Sequence, residues 1–384
     1  MELRAGYKRT EIGVIPESWD AVTVGDVAHF SGGSQPPKYT FKFKPEPGYV
    51  RLIQIRDYKS DQFETYIPGS HARKTCTSQD IMIGRYGPPV FQILRGIEGA
   101  YNVALLKAIP NEKVDSEYFF YALKQEKLYQ LIDALSRRSS GQTGVEMPAL
   151  KAYALPLPAK EEQRAIATTL SDVDALLAKI DQLIAKKLDL KQAAMQQLLT
   201  GQTRLPGFGG EWEVKRLGDL AETGSGGTPP SSVAAYYDGD IPWVSIADMT
   251  SGGKVIFATE RNLTAEGLKN SAAQMFPPGT VLYAMYASIG ECSIAGVPLC
   301  SSQAILGIRT KAMLDGNFLL YHLTSLKPII KTMGQQGTQA NLNAGMVRAF
   351  EIKLPKLDEQ IAIATVLSDM DAELATLQAR RNKT

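Results

Sequence analysis

The sequence predicts an α+β protein built as a pseudo-two-fold internal repeat, with two similar globular domains separated by long helices that pair as an antiparallel coiled coil. Three observations predict it. The length, 384 residues, exceeds what one hydrophobic core usually organises. A set of short sequence elements is written twice in the same order, and two helical runs carry apolar residues at a coiled-coil period.

The repeat is plainest late in each copy. Leu157-Pro158, Glu162-Gln163, Ala165-Ile166-Ala167-Thr168, Leu170-Ser171-Asp172 and Asp174-Ala175 recur as Leu354-Pro355, Glu359-Gln360, Ala362-Ile363-Ala364-Thr365, Leu367-Ser368-Asp369 and Asp371-Ala372. Upstream, Trp19 with Gly25-Asp26 answers Trp212 with Gly218-Asp219, and Ser31-Gly32-Gly33 answers Ser225-Gly226-Gly227. Asp115, Tyr121 and Leu123 answer Asp315, Tyr321 and Leu323. Between these anchors, from about Pro36 to Ala108 and from Pro230 to Ile308, the copies barely resemble each other. The matched parts therefore do one mechanical job twice, and the unmatched parts meet two different surfaces.

From Glu161 to Thr200 there is no Gly or Pro, and Gly201 stands where a helix would stop. About 40 residues at 1.5 Å each make a rod about 60 Å long. Ile166, Leu170, Val173, Leu177, Ile180 and Ile184 step by four and three, the seam of a coiled coil, and Leu188, Met195 and Leu199 continue it less regularly. The second copy repeats the steps with Ile363, Leu367, Met370, Leu374 and Leu377. A rod with one apolar stripe must bury it, and its own duplicate is the nearest match, so an intramolecular antiparallel pair is expected. The second helix stops at Thr384 with no equivalent of Leu188 to Leu199, so part of the first is expected to be unpaired, either available to another chain or left so by truncation of this one.

The middles read as short strands broken by Gly and Pro, such as Val50 to Ile55, Ile81 to Ile83 and Val103 to Leu106, followed by helices such as Ser116 to Leu135. Residues 1 to 158 hold 20 Lys/Arg against 17 Asp/Glu. Their basic and aromatic residues gather in Lys38-Tyr39, Phe41-Lys42-Phe43-Lys44, Arg51, Arg56, Arg85-Tyr86 and Arg137-Arg138. Such clusters suit DNA, because Arg and Lys neutralise phosphates, Arg pairs bidentately with guanine, and Gln54 or Gln142 could pair with adenine. Residues 201 to 355 balance 12 against 12, so affinity there cannot rest mainly on phosphate attraction. The candidates in that domain are Tyr236, Tyr237, Ser245, Lys254, Tyr283, Tyr286, Ser288 and the run Gln335-Gln336-Gly337-Thr338-Gln339-Ala340-Asn341, whose amides match adenine in the major groove. For each of these residues an ordinary solvated surface position is the competing reading.

Other chemistry is not signalled. Apolar residues make up 44% and charged residues 21%, ordinary values for a globular protein. The net charge of +2 means that any DNA contact must be local. No apolar run approaches the roughly 18 residues of a membrane span, and Met1 to Thr10 is charged without an apolar signal core, so no membrane partner and a cytoplasmic location are expected. Cys76, Cys292 and Cys300, with His29, His71 and His322, lie too far apart in sequence to suggest a metal site. None of the Pro-Pro pairs, such as Gly87-Pro88-Pro89-Val90, fits the Asn/Asp-Pro-Pro-aromatic motif that holds a flipped adenine. Gly252-Gly253-Lys254-Val255 is not a phosphate-cradling loop, and neither Ser-Gly-Gly run has a nucleophile-elbow context. A non-catalytic protein is expected.

Gly6-Tyr7-Lys8, Ile12-Gly13-Val14-Ile15-Pro16 and Trp19, together with the twice-written Leu-Pro, Glu-Gln, Ile-Ala and Leu-Ser-Asp-x-Asp run, resemble the specificity subunits of type I restriction-modification systems across nearly the whole chain. The resemblance implies a target-recognition domain at 1–158, a central spacer helix at 159–200, a second target-recognition domain at 201–355 and a shortened C-terminal spacer helix at 356–384. It implies that the domains read the halves of a bipartite double-stranded DNA target. The helices would fix the gap and dock two methylation subunits and, through them, restriction subunits. This chain would hold no cofactor, with S-adenosylmethionine, ATP and Mg belonging to its partners. The assembled complex would be an adenine-specific DNA methyltransferase and endonuclease. The rival expectation is a duplicated protein-interaction scaffold that lacks sequence-specific DNA binding.

Overall fold

The structure is a computed structural model that describes residues 5–137, 144–251, 253–334 and 342–384. The chain divides into two compact units, Met1–Leu176 and Leu177–Thr384. One continuous helix, Lys160–Leu198, gives its first part to the first unit and the rest to the second.

In the first unit the all-apolar, fully buried strand Ile81–Gly84 lies inside a four-stranded antiparallel sheet with Ala28–Gly32, Leu105–Pro110 and Gln92–Leu94. A run with no polar face can only be covered on both sides. A second four-stranded sheet orders Tyr66–Pro68, Tyr49–Ile53, Gly99–Tyr101 and Thr75–Cys76, with Tyr49–Ile53 and Gly99–Tyr101 parallel. The helix Ser116–Leu123 starts where the Asp115 carboxylate accepts from the amides of Glu117 and Tyr118, and it buries Phe119 and Leu123.

The second unit repeats this plan. A five-stranded sheet orders Ala221–Ser225, Ile305–Thr310, Val281–Ala284, Cys292–Ala295 and Val255–Ile256, and a three-stranded one orders Arg261–Leu263, Tyr237–Val244 and Cys300–Ser301. Strand register corrects one sequence equivalence. Gly32 faces Leu106 whereas Ser225 faces Leu306, so the two Ser-Gly-Gly runs are offset by one residue and Gly33 corresponds to Gly226. Both glycines are steric necessities. A Cβ at Gly33 would lie 1.9 Å from the Asn102 carbonyl oxygen, and one at Gly226 2.2 Å from that of Ser302.

The matched residues are joints between helix and domain. The Gln163 amide is buried, accepts from the Asp115 N–H at 2.7 Å and donates to the carbonyls of Lys113 and Pro158. Gln360 does the same with Asp315 at 2.9 Å, Met313 and Pro355. The indole N–H of Trp19 donates to Glu162, that of Trp212 to Glu359, and the hydroxyls of Tyr121 and Tyr321 donate to Asp174 and Asp371.

The expected antiparallel pairing forms within the second unit. Asp181 pairs with Arg381 at 2.6 Å, Lys187 with Glu373 at 2.7 Å and Lys191 with Asp371 at 2.5 Å, so numbers rise on Lys160–Leu198 as they fall on Leu357–Lys383. Ile180 and Leu374 are buried, and Leu177, Ile184 and Leu377 are half-buried. Other seam residues need correcting. Ile166 packs on the globular core of the first unit beside Ala167, while Leu170 is 39% exposed and Val173 half-buried. Ile363 and Leu367 keep their seam role while also joining the core of the second unit, since their cluster holds Leu198 and Leu199 from the end of the long helix together with Phe318 and Ile352, and Met370 packs against it beside Met195. The first turns of each helix are claimed by the domain they leave, because the Gln joint holds them there.

His322, buried in the second unit and stacked on Phe318, makes no hydrogen bond of normal geometry through either ring nitrogen among the described residues. Burial pulls its pKa from 6.5 down to about 4, outweighing the Glu351 backbone, which pushes the other way. Between those values the unfolded chain binds a proton that the folded ring does not, so stability is intact above pH 6.5 and falls as pH falls towards 4. The second unit is expected to lose about 3 kcal/mol across that window from this residue. His322→Leu should flatten that part of the curve of unfolding free energy against pH, and an unchanged slope would refute the assignment.

Candidate nucleic-acid interface

In the first unit the segment from Pro37 to Gly48 carries the sequence candidates into solvent. Lys38, Lys42 and Lys44 are exposed, as are Tyr39 (87%) and Phe43 (74%). This segment links the two sheets, and a bridge between Lys42 and Tyr66 pins it to the second. Arg56 is exposed and lies over the Phe63 ring at 5.7 Å. Arg85, half-buried, lies over Tyr86 at 5.1 Å, and the exposed Arg137 pairs with Asp133 at 2.7 Å. Two candidates here are structural. The Arg51 guanidinium sits between Asp61 at 2.8 Å and Glu64 at 2.9 Å with its side chain 17% exposed, so both terminal nitrogens already face carboxylates and its Nε is buried. Gln54 precedes a 3-10 turn and donates to Thr65.

In the second unit more of the candidates are turned inward. Tyr283 is fully buried in the core, because Val281–Ala284 is a central strand covered on both faces, and burial pushes its hydroxyl pKa up. Tyr237 is buried with its hydroxyl donating to the Pro229 carbonyl at 2.6 Å. Tyr236 and Tyr286 are partly buried against apolar clusters. The Ser245 hydroxyl and amide both donate to Asp248, the buried counterpart of Asp57, which accepts from the Gln54 amide. Ser288 is half-buried. Arg138, Gln142, Gln335, Gln336, Thr338, Gln339 and Asn341 lie outside the described residues, as do Ser139, Ser140, Gly337 and Ala340.

Lys254 is engaged by partners in its own unit, although its side chain stays 39% exposed. Its ammonium pairs with Asp371 and lies 3.9 Å from the Tyr321 ring centroid, while Lys191 and the Tyr321 hydroxyl approach the same carboxylate at 2.5 Å and 2.7 Å. Burial brings the Lys254 pKa down to about 8, and the Asp371 pairing only partly opposes this because Lys191 adds a second positive charge. The two lysines and the tyrosine in turn hold the Asp371 carboxyl below its usual range against the cost of its burial.

Sequence reasoning missed Arg261. It is exposed and lies over the rings of Tyr237 at 4.5 Å and Trp243 at 5.4 Å. Nothing local marks it, because the rings come from a neighbouring strand. Phe257, 67% exposed, was missed as well. Among the described residues no group of three or more His, Cys, Asp or Glu could hold a metal, and no helix is long and apolar enough to cross a membrane.

Comparison with known proteins agrees with this duplicated arrangement. A family model described as "Type I restriction modification DNA specificity domain" matches the chain twice, over residues 16–188 and 209–384. A Methanocaldococcus jannaschii relative named for the specificity subunit of the MjaX type I restriction enzyme is 26% identical, over 95% of this chain and 89% of its own length. The MjaVIII specificity subunit of the same organism is 22% identical over 93% and 87%. Among solved structures, the S subunit of the type I restriction-modification system from M. genitalium superposes with a TM-score of 0.62 at 14% identity, covering 100% of this chain and 94% of that one. A structure from work on assembly and conformational transition of the type I R-M system gives 0.59 at 21% identity, over 96% and 94%. At those identities the two structures establish the fold.

Proposed function

The chain belongs to the type I restriction-modification DNA specificity family, and from that premise we propose that its two units read the two halves of a bipartite double-stranded DNA target while the paired helices set the gap between them. Its function is DNA-sequence recognition as the specificity subunit. The observation that carries the bipartite reading is the duplicated joint: Gln163 and Gln360 make the same three hydrogen bonds in both units, yet the exposed residues of the two middles differ. A protein that builds one framework twice and dresses it differently presents two unlike reading surfaces.

Two methylation subunits dock on the helices, and restriction subunits join through them. S-adenosylmethionine, ATP and Mg belong to those partners, and the assembled complex methylates adenine and cleaves DNA in the cytoplasm. Lys38, Lys42, Lys44, Arg56, Arg85 and Arg137 serve the first half-site, supported by their exposure or half-exposure.

The test inserts seven residues after Leu176, upstream of the Asp181–Arg381 ion pair, so that the helix phase and the pairing of the second unit are kept. The insertion lengthens the helix by about 10 Å. Methylation mapping in cells carrying the subunit and its partners should then return both half-site sequences unchanged with a longer gap. An unchanged gap would remove the spacer role.

A further inference from the structure

The unmatched middle of the second copy, residues 230–308, contains three basic side chains, Lys254, Arg261 and Lys269. Lys254 is taken by Asp371, and Lys269 ends a five-residue helix, exposed. Arg261 differs from both. Among the described residues no carboxylate lies within ion-pair distance of its guanidinium, yet two aromatic rings position it.

Those rings are themselves fixed. Trp243, 5% exposed, donates its indole N–H to the Gly227 carbonyl at 2.9 Å, and Tyr237, 9% exposed, donates its hydroxyl to Pro229 at 2.6 Å. The rings meet edge to face, 6.5 Å apart at 81°. The Arg261 backbone is tied as well. The Thr259 hydroxyl accepts from the Trp243 amide at 3.2 Å and lies 2.9 Å from the Arg261 carbonyl, while Arg261 pairs with Trp243 in the strand ladder. A guanidinium lying over aromatic faces keeps its N–H edge for a ligand and loses little rotamer freedom on binding.

The feature belongs to the second unit. The parallel pairs Leu52 with Ala100 and Trp243 with Cys300 make Leu52 the counterpart of Trp243. The Leu52 N–H donates to the carbonyl of the buried Thr65, which therefore stands where Arg261 does. On a domain whose charges balance, an unpaired, pre-positioned Arg is not an instrument of bulk phosphate attraction.

We propose that Arg261 is a specificity-determining residue of the half-site read by the second unit, donating two hydrogen bonds to O6 and N7 of a guanine in the major groove, with Tyr237 and Trp243 as positioning residues. This rests on the DNA-reading function given above. Arginine matches that pair of acceptors bidentately, and each such contact carries roughly 5- to 150-fold discrimination.

The test expresses the full chain as wild type, Arg261→Lys and Arg261→Ala with its methylation subunits and maps methylated sites in cells. Because Arg261 is exposed, both variants should assemble, and Arg261→Lys keeps the charge if Arg261→Ala does not assemble. The expected result is that both lose preference at one G·C pair of one half-site, by roughly 10- to 100-fold, while the other half-site and the gap are unchanged. Arg261→Lys retaining the wild-type target would overturn the proposal. So would a uniform loss of affinity across all sequences in Arg261→Ala with a shallower salt dependence, the signature of a phosphate contact. A wild-type complex without a bipartite target would instead defeat the DNA-reading function itself, an outcome that the variants do not decide.

Discussion

Gln360→Leu is expected to remove about 3 kcal/mol or more from the unfolding free energy of the second unit, and Gln163→Leu the same from the first. Each glutamine is buried and fills three backbone valences at once, one N–H and two carbonyls. Leucine keeps the volume but leaves those groups buried and unpaired, and each such group costs about 1–3 kcal/mol. Trp19 reports on the first unit and Trp212 and Trp243 on the second, so urea titration followed by fluorescence in variants keeping one reporter set separates the two effects. A loss under about 1 kcal/mol in the affected unit would show that the joint is not what holds helix to domain. Because the same atoms fix where each helix leaves its domain, these variants should also blur the gap length in methylation maps.

Asp371→Ala should cost the second unit about 3 kcal/mol, whereas Asp174→Ala in the first should cost less than about 1 kcal/mol. The two aspartates occupy the same place in the repeat and both accept from a tyrosine. Their surroundings differ. Asp174 is 51% exposed and has Lys124 at 3.7 Å, but the Asp371 side chain is 23% exposed and holds Lys191, Lys254 and Tyr321 together. Removing it leaves two partly buried ammonium groups facing each other without a counter-ion, which is where breaking an ion pair becomes expensive. Thermal denaturation of both variants at neutral pH measures the contrast, and equal shifts in the two would refute it. Asp371→Ala should also release the Leu357–Lys383 helix from Lys191, one of its three ion pairs to the long helix.

How much of the site was legible follows from where its partners lie. Lys38, Tyr39, Lys42 and Lys44 were readable as exposed because a segment holding three lysines among aromatics within seven residues, just after Pro36-Pro37, offers little to a core; Phe43, in the same run, is exposed too. Tyr283 and Lys254 were misread because tyrosine and lysine look alike in a sequence whether they face water, an apolar core or an aspartate more than a hundred residues away. Arg261 was passed over for the same reason, since both of its rings, Tyr237 and Trp243, come from the strand paired with its own.

The sequence by itself determined the duplication, the long helix, its antiparallel partner and the family, because periodicity and repetition are local properties that survive in the order of residues. It did not determine which seam residues serve the helix pair and which serve the globular cores, nor which polar residues keep their hydrogen-bonding groups for DNA. Only the tertiary structure decided those, because burial and pairing depend on distant segments: Ile166 is claimed by one core, Tyr283 by another, and Asp371 ties down the Lys254 ammonium.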